Sequence, residues 1–183
     1  MIRASRVLSL ARNRRIVRRF AERPIPHDVL AAVLETARYA PSAKEAQPWR
    51  FIVVREALNR HRIAAAAFNH LHVKTAPIVV VCTARVHSHI SGSGRASHPL
   101  DLAAAVESMV LAATDLGLAS SWITGYREAA IREILEVPAD VPIVAILALG
   151  YPDGVDALPE RRTREEIITW ERWRREDARS PTP

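Results

Sequence analysis

Cysteine occurs once, at position 82, so no disulfide can form within one chain. It lies inside PIVVVCTAR, an apolar run that reads as a buried strand, where a thiol packs as a small hydrophobe rather than reacting. Lysine occurs only at positions 44 and 74, so nearly all the positive charge is arginine. No stretch has the unbroken apolar length of a membrane span, and the opening MIRASRVLSLARNRR lacks the apolar centre and cleavage site of a secretory signal. A cytoplasmic protein without membrane association is expected. Internal repeats and Gly/Ser- or Pro-rich linkers are absent. The 183 residues are therefore expected to form one domain over 1–175, with a disordered tail at 176–183.

The usual catalytic constellations are missing too. His61, His70 and His72 have no carboxylates at zinc-ligand spacing, and His87, His89 and His98 sit in a Gly/Ser-rich stretch without Cys or acidic partners. No Gly-x-Ser-x-Gly elbow offers a serine nucleophile. SGSGRAS has the glycines of a phosphate-cradling loop but not its Gly-Lys-Ser/Thr ending. An enzyme with no nucleophile, metal or acid pair borrows its chemistry from an organic cofactor.

What is present is arginine. The chain carries 26 Lys plus Arg against 20 Asp plus Glu, a net charge of +6. Arg12, Arg14, Arg15, Arg18, Arg19 and Arg23 fall within a dozen residues, and Arg161, Arg162 and Arg164 form a second cluster. Such clusters are a solvated basic surface, a nucleic-acid patch or a phosphate grip.

Along the chain, a short helix ends near Arg12. RPIPHDVLAAVLETARYAP then places breakers on both sides of an amphipathic helix with Val29, Leu30, Val33, Leu34 and Ala37 on one face. WRFIVVRE reads as a strand, ALNRHRIAAAAFNHL as a helix, and APIVVVCTA as a strand buried on both faces. Residues 85–99 read as a mobile loop. From Asp101, DLAAAVESMVLAATDLGLA is a helix apolar nearly all round, with Leu102, Val106, Met109, Val110 and Ala113 sharing a face and Gly117 closing it. SSWITGY is a short strand, REAAIREILEVP a helix, and VPIVAILALGYP a central strand. Near the end, Ile167, Ile168, Trp170 and Trp173 find little core to receive them, so this segment is expected to pack on another subunit. The elements alone give α+β or α/β, in one layered domain.

The stretch YAPSAKEAQPWRFIVV fixes two prolines and a tryptophan in a connection that a few turn residues would make. Taken singly, Gln47-Pro48-Trp49 is no more than the start of a strand, and Trp122 an ordinary core residue. Together, NRRIVRRF at 13–20, APSAKEAQPWRFIVV at 40–54, GLASSWITGY at 117–126 and LGYP at 149–152 resemble, in order and spacing, the FMN-dependent nitroreductase family, over nearly the whole chain.

The resemblance implies an α+β, nitroreductase-like three-layer α/β/α sandwich, its central mixed sheet flanked by helices, and a homodimer with FMN at the subunit interface. Arg14, Arg15 and Arg18 match the segment that grips the flavin phosphate and ribityl chain. Ser42 and Ala43 match residues reached by the flavin from the second subunit, Gln47 to Trp49 match the turn that supports them, and Pro41 and Glu45 stand at flavin-binding positions of the same turn. The backbone N–H of Thr124 would face flavin N5, with Trp122, Ile123 and Gly125 along the ring and Asn69 at its polar edge. Arg161 or Arg162 would complete the phosphate site. No side chain is implied as a catalytic acid or base, and no metal. Hydride would pass from NAD(P)H to flavin N5, and then, in a ping-pong exchange, to a small electron-poor acceptor such as a nitroaromatic or quinone. The 85–99 loop would cover the flavin. Two positions depart from the pattern: Ile16 stands where the family usually has Ser, and Glu45 where it commonly has Asn. Losing a hydroxyl and gaining an acid beside an anionic cofactor weakens the grip. The alternative is a flavin-free, basic, dimeric module that binds nucleic acid or another anion. Nucleic acid is disfavoured because no aromatic residues interleave the basic stretch.

Overall fold

The computed structural model describes residues 5–85, 90–92, 94–154 and 160–173. His87, His89 and the 176–183 tail lie outside the described residues, as does part of the 85–99 loop.

Four strands, β1 (Trp49–Val54), β2 (Ile78–Ala84), β3 (Ala119–Ile123) and β4 (Ile143–Gly150), make one sheet in the order β1-β2-β4-β3. All three ladders are antiparallel. The parallel component of the expected mixed sheet is, among the described residues, the single bridge Ile16–Ser120. The hydrogen-bonded neighbours run antiparallel because the β1–β2 and β3–β4 excursions return the chain to the end of the sheet it left, while α5 crosses from the end of β2 to the opposite end, where β3 pairs with β4 rather than β2. Between β1 and β2 the chain goes out along α3 (Ala57–Ala66) and back through α4 (Leu71–Thr75), so Val54 pairs with Val79.

β2 and β4 are central and almost wholly buried, which accounts for their unbroken apolar sequences. Along β2, Ile78, Val80 and Cys82 face one core, and Val79 and Val81 the other, as the two-residue repeat of a strand requires. The first core is closed by α2 (His27–Thr36) and α5 (His98–Asp115), the second by α3, α4 and α6 (Glu128–Leu135). These are the three layers implied by the resemblance. Burial drives the Cys82 thiol pKa far above its usual range, so the buried, inert reading holds.

Two helices differ from expectation. The helix expected through Leu71 stops at Ala66, where Phe68 and Asn69 take left-handed backbone (φ 54° and 58°) and Asn69 N–H donates to Ala64 O at 2.8 Å. α5 begins at His98, three residues before the expected Asp101, because Pro99 is tolerated in a first turn. At its other end Gly117 (φ 75°) forms the expected cap: Leu118 N–H donates to Ala113 O (2.8 Å) and Gly117 N–H to Thr114 O (3.2 Å). The five apolar residues assigned to its inner face are all buried. Part of the expected loop is ordered as a tight turn, with Ile90 bridged to Ala96.

α1 spans Arg6–Asn13, and α7, only Arg164–Ile167, lies in a terminal segment whose residues 160–173 are all exposed. Trp170 and Trp173 stand at 79% and 82% exposure, so the described residues give them no core. No described helix is long and apolar enough to cross a membrane.

Candidate functional site at the β3 edge

The arginine-bearing segment after α1 is extended and held at both ends. The Ile16–Ser120 bridge lays it along β3, and the buried Phe20 bridges to Pro152. Phe20 N–H donates to Thr75 Oγ1 (3.1 Å) and Ala21 N–H to Tyr151 O (2.9 Å). With Val17 turned inward, Ile16 and Arg18 point out. Arg14 and Arg15 are half-buried, and Arg14 sits 3.9 Å from Glu107 of α5, a loose pair that leaves most of its donors unspent. Ile16 thus pairs through its backbone and presents an apolar side chain, not a hydroxyl, on the same outward side as Arg18.

Trp122 is exposed on β3, while Ile123 is buried as the last paired residue, opposite Ile146. Thr124 and Gly125 continue beyond the ladder, exposed. Tyr126 pins this turn by donating from its hydroxyl to Ile143 O at 2.7 Å. Burial, then the nearby Glu128 carboxylate, pushes the Tyr126 pKa up to about 12. The Phe68–Asn69 turn lies against the same corner. A Cβ at Gly125 would meet the Phe68 ring at 4.0 Å, Arg127 N–H donates to Ala66 O (2.9 Å), and Arg127 Nη2 to Ala65 O (2.8 Å). Asn69, Thr124, Gly125 and Trp122 are therefore neighbours, with Arg14, Arg15 and Arg18 beside the same strand. Next to Asn69 stand His70 and His72, which the sequence offers only as metal-ligand candidates without partners; their rings stack with centroids 5.0 Å apart. Burial, then repulsion from His70 and Arg18, lowers the His72 pKa.

The Pro41–Gln47 turn stands elsewhere. It leads into β1, which lies three strand spacings, about 14 Å, from β3 at the opposite edge of the sheet, and it enters β1 at the same end as Thr124. Ser42 Oγ accepts from Gln47 N–H (3.0 Å), and Ala43 N–H donates to Asp101 Oδ1 (2.9 Å). Lys44, Glu45 and Gln47 all have left-handed backbone, with φ 51°, 55° and 44°. For Gln47 this is doubly costly, because the residue before a proline prefers extended backbone. The exposed Glu45 side chain sits on the outside of the turn.

Arg161 and Arg162 are exposed, and the bonds that order their segment are internal to it, chiefly the Thr163–Glu166 capping box. Among the described residues, no hydrogen bond or ion pair joins them to β3. A cleft of about 1030 Å³ between residues 19–24 and α3–α4 is lined by none of the residues expected to hold the flavin. Its cations serve the fold: Arg19 pairs with Asp153 (2.7 Å), and Arg60 donates to Arg55 O and Ala76 O.

One copy of the chain therefore presents two exposed half-sites. At the β3 edge stand guanidinium donors for a phosphate, an indole edge for a planar ring and backbone N–H groups outside any ladder. At the β1 edge a hydroxyl turn is held in strained backbone. This donor set fits an anionic, planar heteroaromatic group such as FMN.

The model of the nitroreductase family matches residues 11–88 and 66–151, which takes in the arginine segment, the Pro41–Gln47 turn and β3. The chain is 29% identical to an NADH dehydrogenase of Thermus thermophilus over 87% of its own length and 93% of that protein's. It is 31% identical to the 5,6-dimethylbenzimidazole synthase of Rhodospirillum rubrum, over 80% and 82% of the two chains. Among solved structures, a nitroreductase family protein of Clostridium novyi superposes with a TM-score of 0.76 at 31% identity, covering 79% of this chain and 84% of that one. With the motifs, the layered fold and the matched sequence all agreeing, this chain belongs to the nitroreductase family.

Proposed function

We propose that this protein, a flavin-dependent oxidoreductase by family, works as a homodimer with two FMN sites, each built from the β3 edge of one copy and the Pro41–Gln47 turn of the other. The observation that carries the reading is the separation of the matched residues: they form two outward-facing half-sites on opposite edges of one sheet. The exposed Ile167, Ile168, Trp170 and Trp173 supply the apolar surface that a second copy would cover.

Arg14, Arg15 and Arg18 hold the phosphate and ribityl chain, joined by Arg161 or Arg162 once the terminal segment docks on the partner. Trp122 lies along the ring, Ile123 contributes only its backbone because its side chain is in the core, and Asn69 bonds the ring's polar edge. The Thr124 N–H, free of the ladder, orients the reactive nitrogen. From the second copy, Ser42 offers its hydroxyl proton, since its oxygen already accepts from Gln47 N–H. When bound, FMN supplies two-electron chemistry, taking hydride from NAD(P)H and passing it to a small electron-poor acceptor such as a nitroaromatic or quinone. The protein's part is placement and positive charge beside the reduced ring, so no acid or base side chain is needed. The name of the Thermus relative supports NADH as the donor.

Mixing two inactive variants, Arg18→Ala and Ser42→Ala, tests the shared site. Random re-pairing puts both lesions in the same site of each hybrid dimer and leaves its other site intact, so about a quarter of native activity should return. No recovery after proven subunit exchange would show that each copy holds its own complete site.

A further inference from the structure

We propose that Asp101 is the positioning residue of the Pro41–Gln47 turn, and that through this turn it sets how tightly the flavin is held. The inference rests on the shared-site reading above, and it assigns a role to a residue outside every motif that pointed to the site.

Asp101 lies in the first turn of α5 and is 7% exposed. Its carboxylate does not cap that helix; Oδ1 reaches across to accept the Ala43 N–H at 2.9 Å, joining residues 58 apart in sequence. Oδ2 is buried with no hydrogen-bond partner among the described residues, and so is Nδ1 of His98, one turn earlier. A buried, half-satisfied carboxylate is costly and persists where something depends on it.

What depends on it is the turn. Three of its non-glycine residues are left-handed, a state that unwinds unless bonds hold it. Its other hydrogen bonds are internal: Gln47 N–H to Ser42 Oγ, Glu45 N–H to Ser42 O and Ala46 N–H to Ala43 O. Among the described residues, the Asp101 bond is the one that fastens the turn to a rigid helix. A charged acceptor makes it stronger than the amide bonds around it. It also spends the Ala43 N–H, so the turn's contact with the flavin falls to the Ser42 hydroxyl.

The test compares Asp101→Ala and Asp101→Asn with the native protein by FMN titration, read as quenching of flavin fluorescence, and by amide hydrogen exchange and thermal melting without FMN. Asn keeps an acceptor for Ala43 and changes only the oxygen that has no partner. Asp101→Ala should weaken FMN binding by on the order of tenfold to a hundredfold and speed exchange at Ala43 and Gln47, with little change along α5. Asp101→Asn should restore both to within a few-fold. Native exchange rates at Ala43 and Gln47 in the Ala variant would overturn the inference, whether or not FMN binds. So would equal losses in the two variants accompanied by a matching fall in melting temperature. A native protein that takes up no FMN would sink the shared-site reading instead, and the exchange data would still decide whether Asp101 holds the turn.

Discussion

Gly150 closes β4 at the point where the arginine segment crosses it, and a Cβ there would lie 2.7 Å from Pro77 Cδ and 2.8 Å from Phe20 Cδ1. Ordinary carbon contacts begin near 3.5 Å, so Gly150→Ala forces both rings back by about 0.7 Å. Neither can rotate away: Pro77 is a ring in the backbone, and Phe20 is buried, with N–H bonds on either side to Thr75 Oγ1 and Tyr151 O. Overpacking of this kind costs about 1–3 kcal/mol. For a chain of this length each kcal/mol lowers the melting temperature by roughly 2–4 °C, so a fall of roughly 4–8 °C is expected for the middle of that range. Because Phe20 anchors the end of the segment that carries Arg14, Arg15 and Arg18, FMN affinity should fall as well. Differential scanning calorimetry and flavin titration of Gly150→Ala measure both effects. Gly92→Ala is the control, since a Cβ there meets nothing within 4 Å. A Gly150→Ala protein that melts and binds FMN like the native one would refute the reasoning, showing that the segment is not wedged against β4.

Tyr126→Phe leaves the Ile143 carbonyl without its donor and should cost about 1–3 kcal/mol in chemical denaturation. In the native protein the raised Tyr126 pKa means that this stability is complete below about pH 10, the unfolded value, and is lost as pH rises toward about 12; the Phe variant should lack that alkaline step. The lowered His72 pKa acts in the opposite direction. The folded state resists protonation, so stability is full above pH 6.5 and falls as pH drops below it; His72→Gln should flatten that slope in acid titrations. Arg18→Ala should lower flavin occupancy after purification, and unchanged occupancy would place the phosphate elsewhere. Removing the residues after Glu166 should yield monomeric or aggregated protein without flavin, and a flavin-loaded monomer by light scattering would contradict the shared site.

Most of this architecture was legible because burial writes itself into sequence. The apolar runs of β2 and β4 and the stripe of Leu102, Val106, Met109, Val110 and Ala113 appear as buried surfaces where expected. Strand direction was less legible, since side-chain alternation is the same in parallel and antiparallel ladders. The break at Phe68–Asn69 was hidden because a run of alanines before it favours helix, and only the left-handed tolerance of Asn hints at a turn. LGYP was recognisable as a motif, but the reason for its glycine, the close approach of Phe20 and Pro77, is a tertiary fact. The grouping of Arg14, Arg15 and Arg18 with Trp122–Gly125 and Asn69 follows from one bridge, Ile16–Ser120, and one turn contact. Asp101 was read only as the start of a helix. A carboxylate in a helix's first turn ordinarily serves that helix, and its partner, Ala43, lies 58 residues away.

The departures at Ile16 and Glu45 both leave the fold intact. Ile16 acts through its backbone bridge, and Glu45 lies exposed on the outer side of its turn. The arginine cluster is partly engaged locally, through Arg14–Glu107 and Arg19–Asp153, which favours a confined phosphate grip over a broad nucleic-acid surface.

The most direct test of the central claim is the visible absorbance spectrum of the freshly purified protein, followed under anaerobic conditions as NADH is added. The account predicts bound oxidised flavin at about one per chain, two sites in each dimer, bleached by the nicotinamide and restored by a quinone. A colourless protein that also fails to take up added FMN would contradict it.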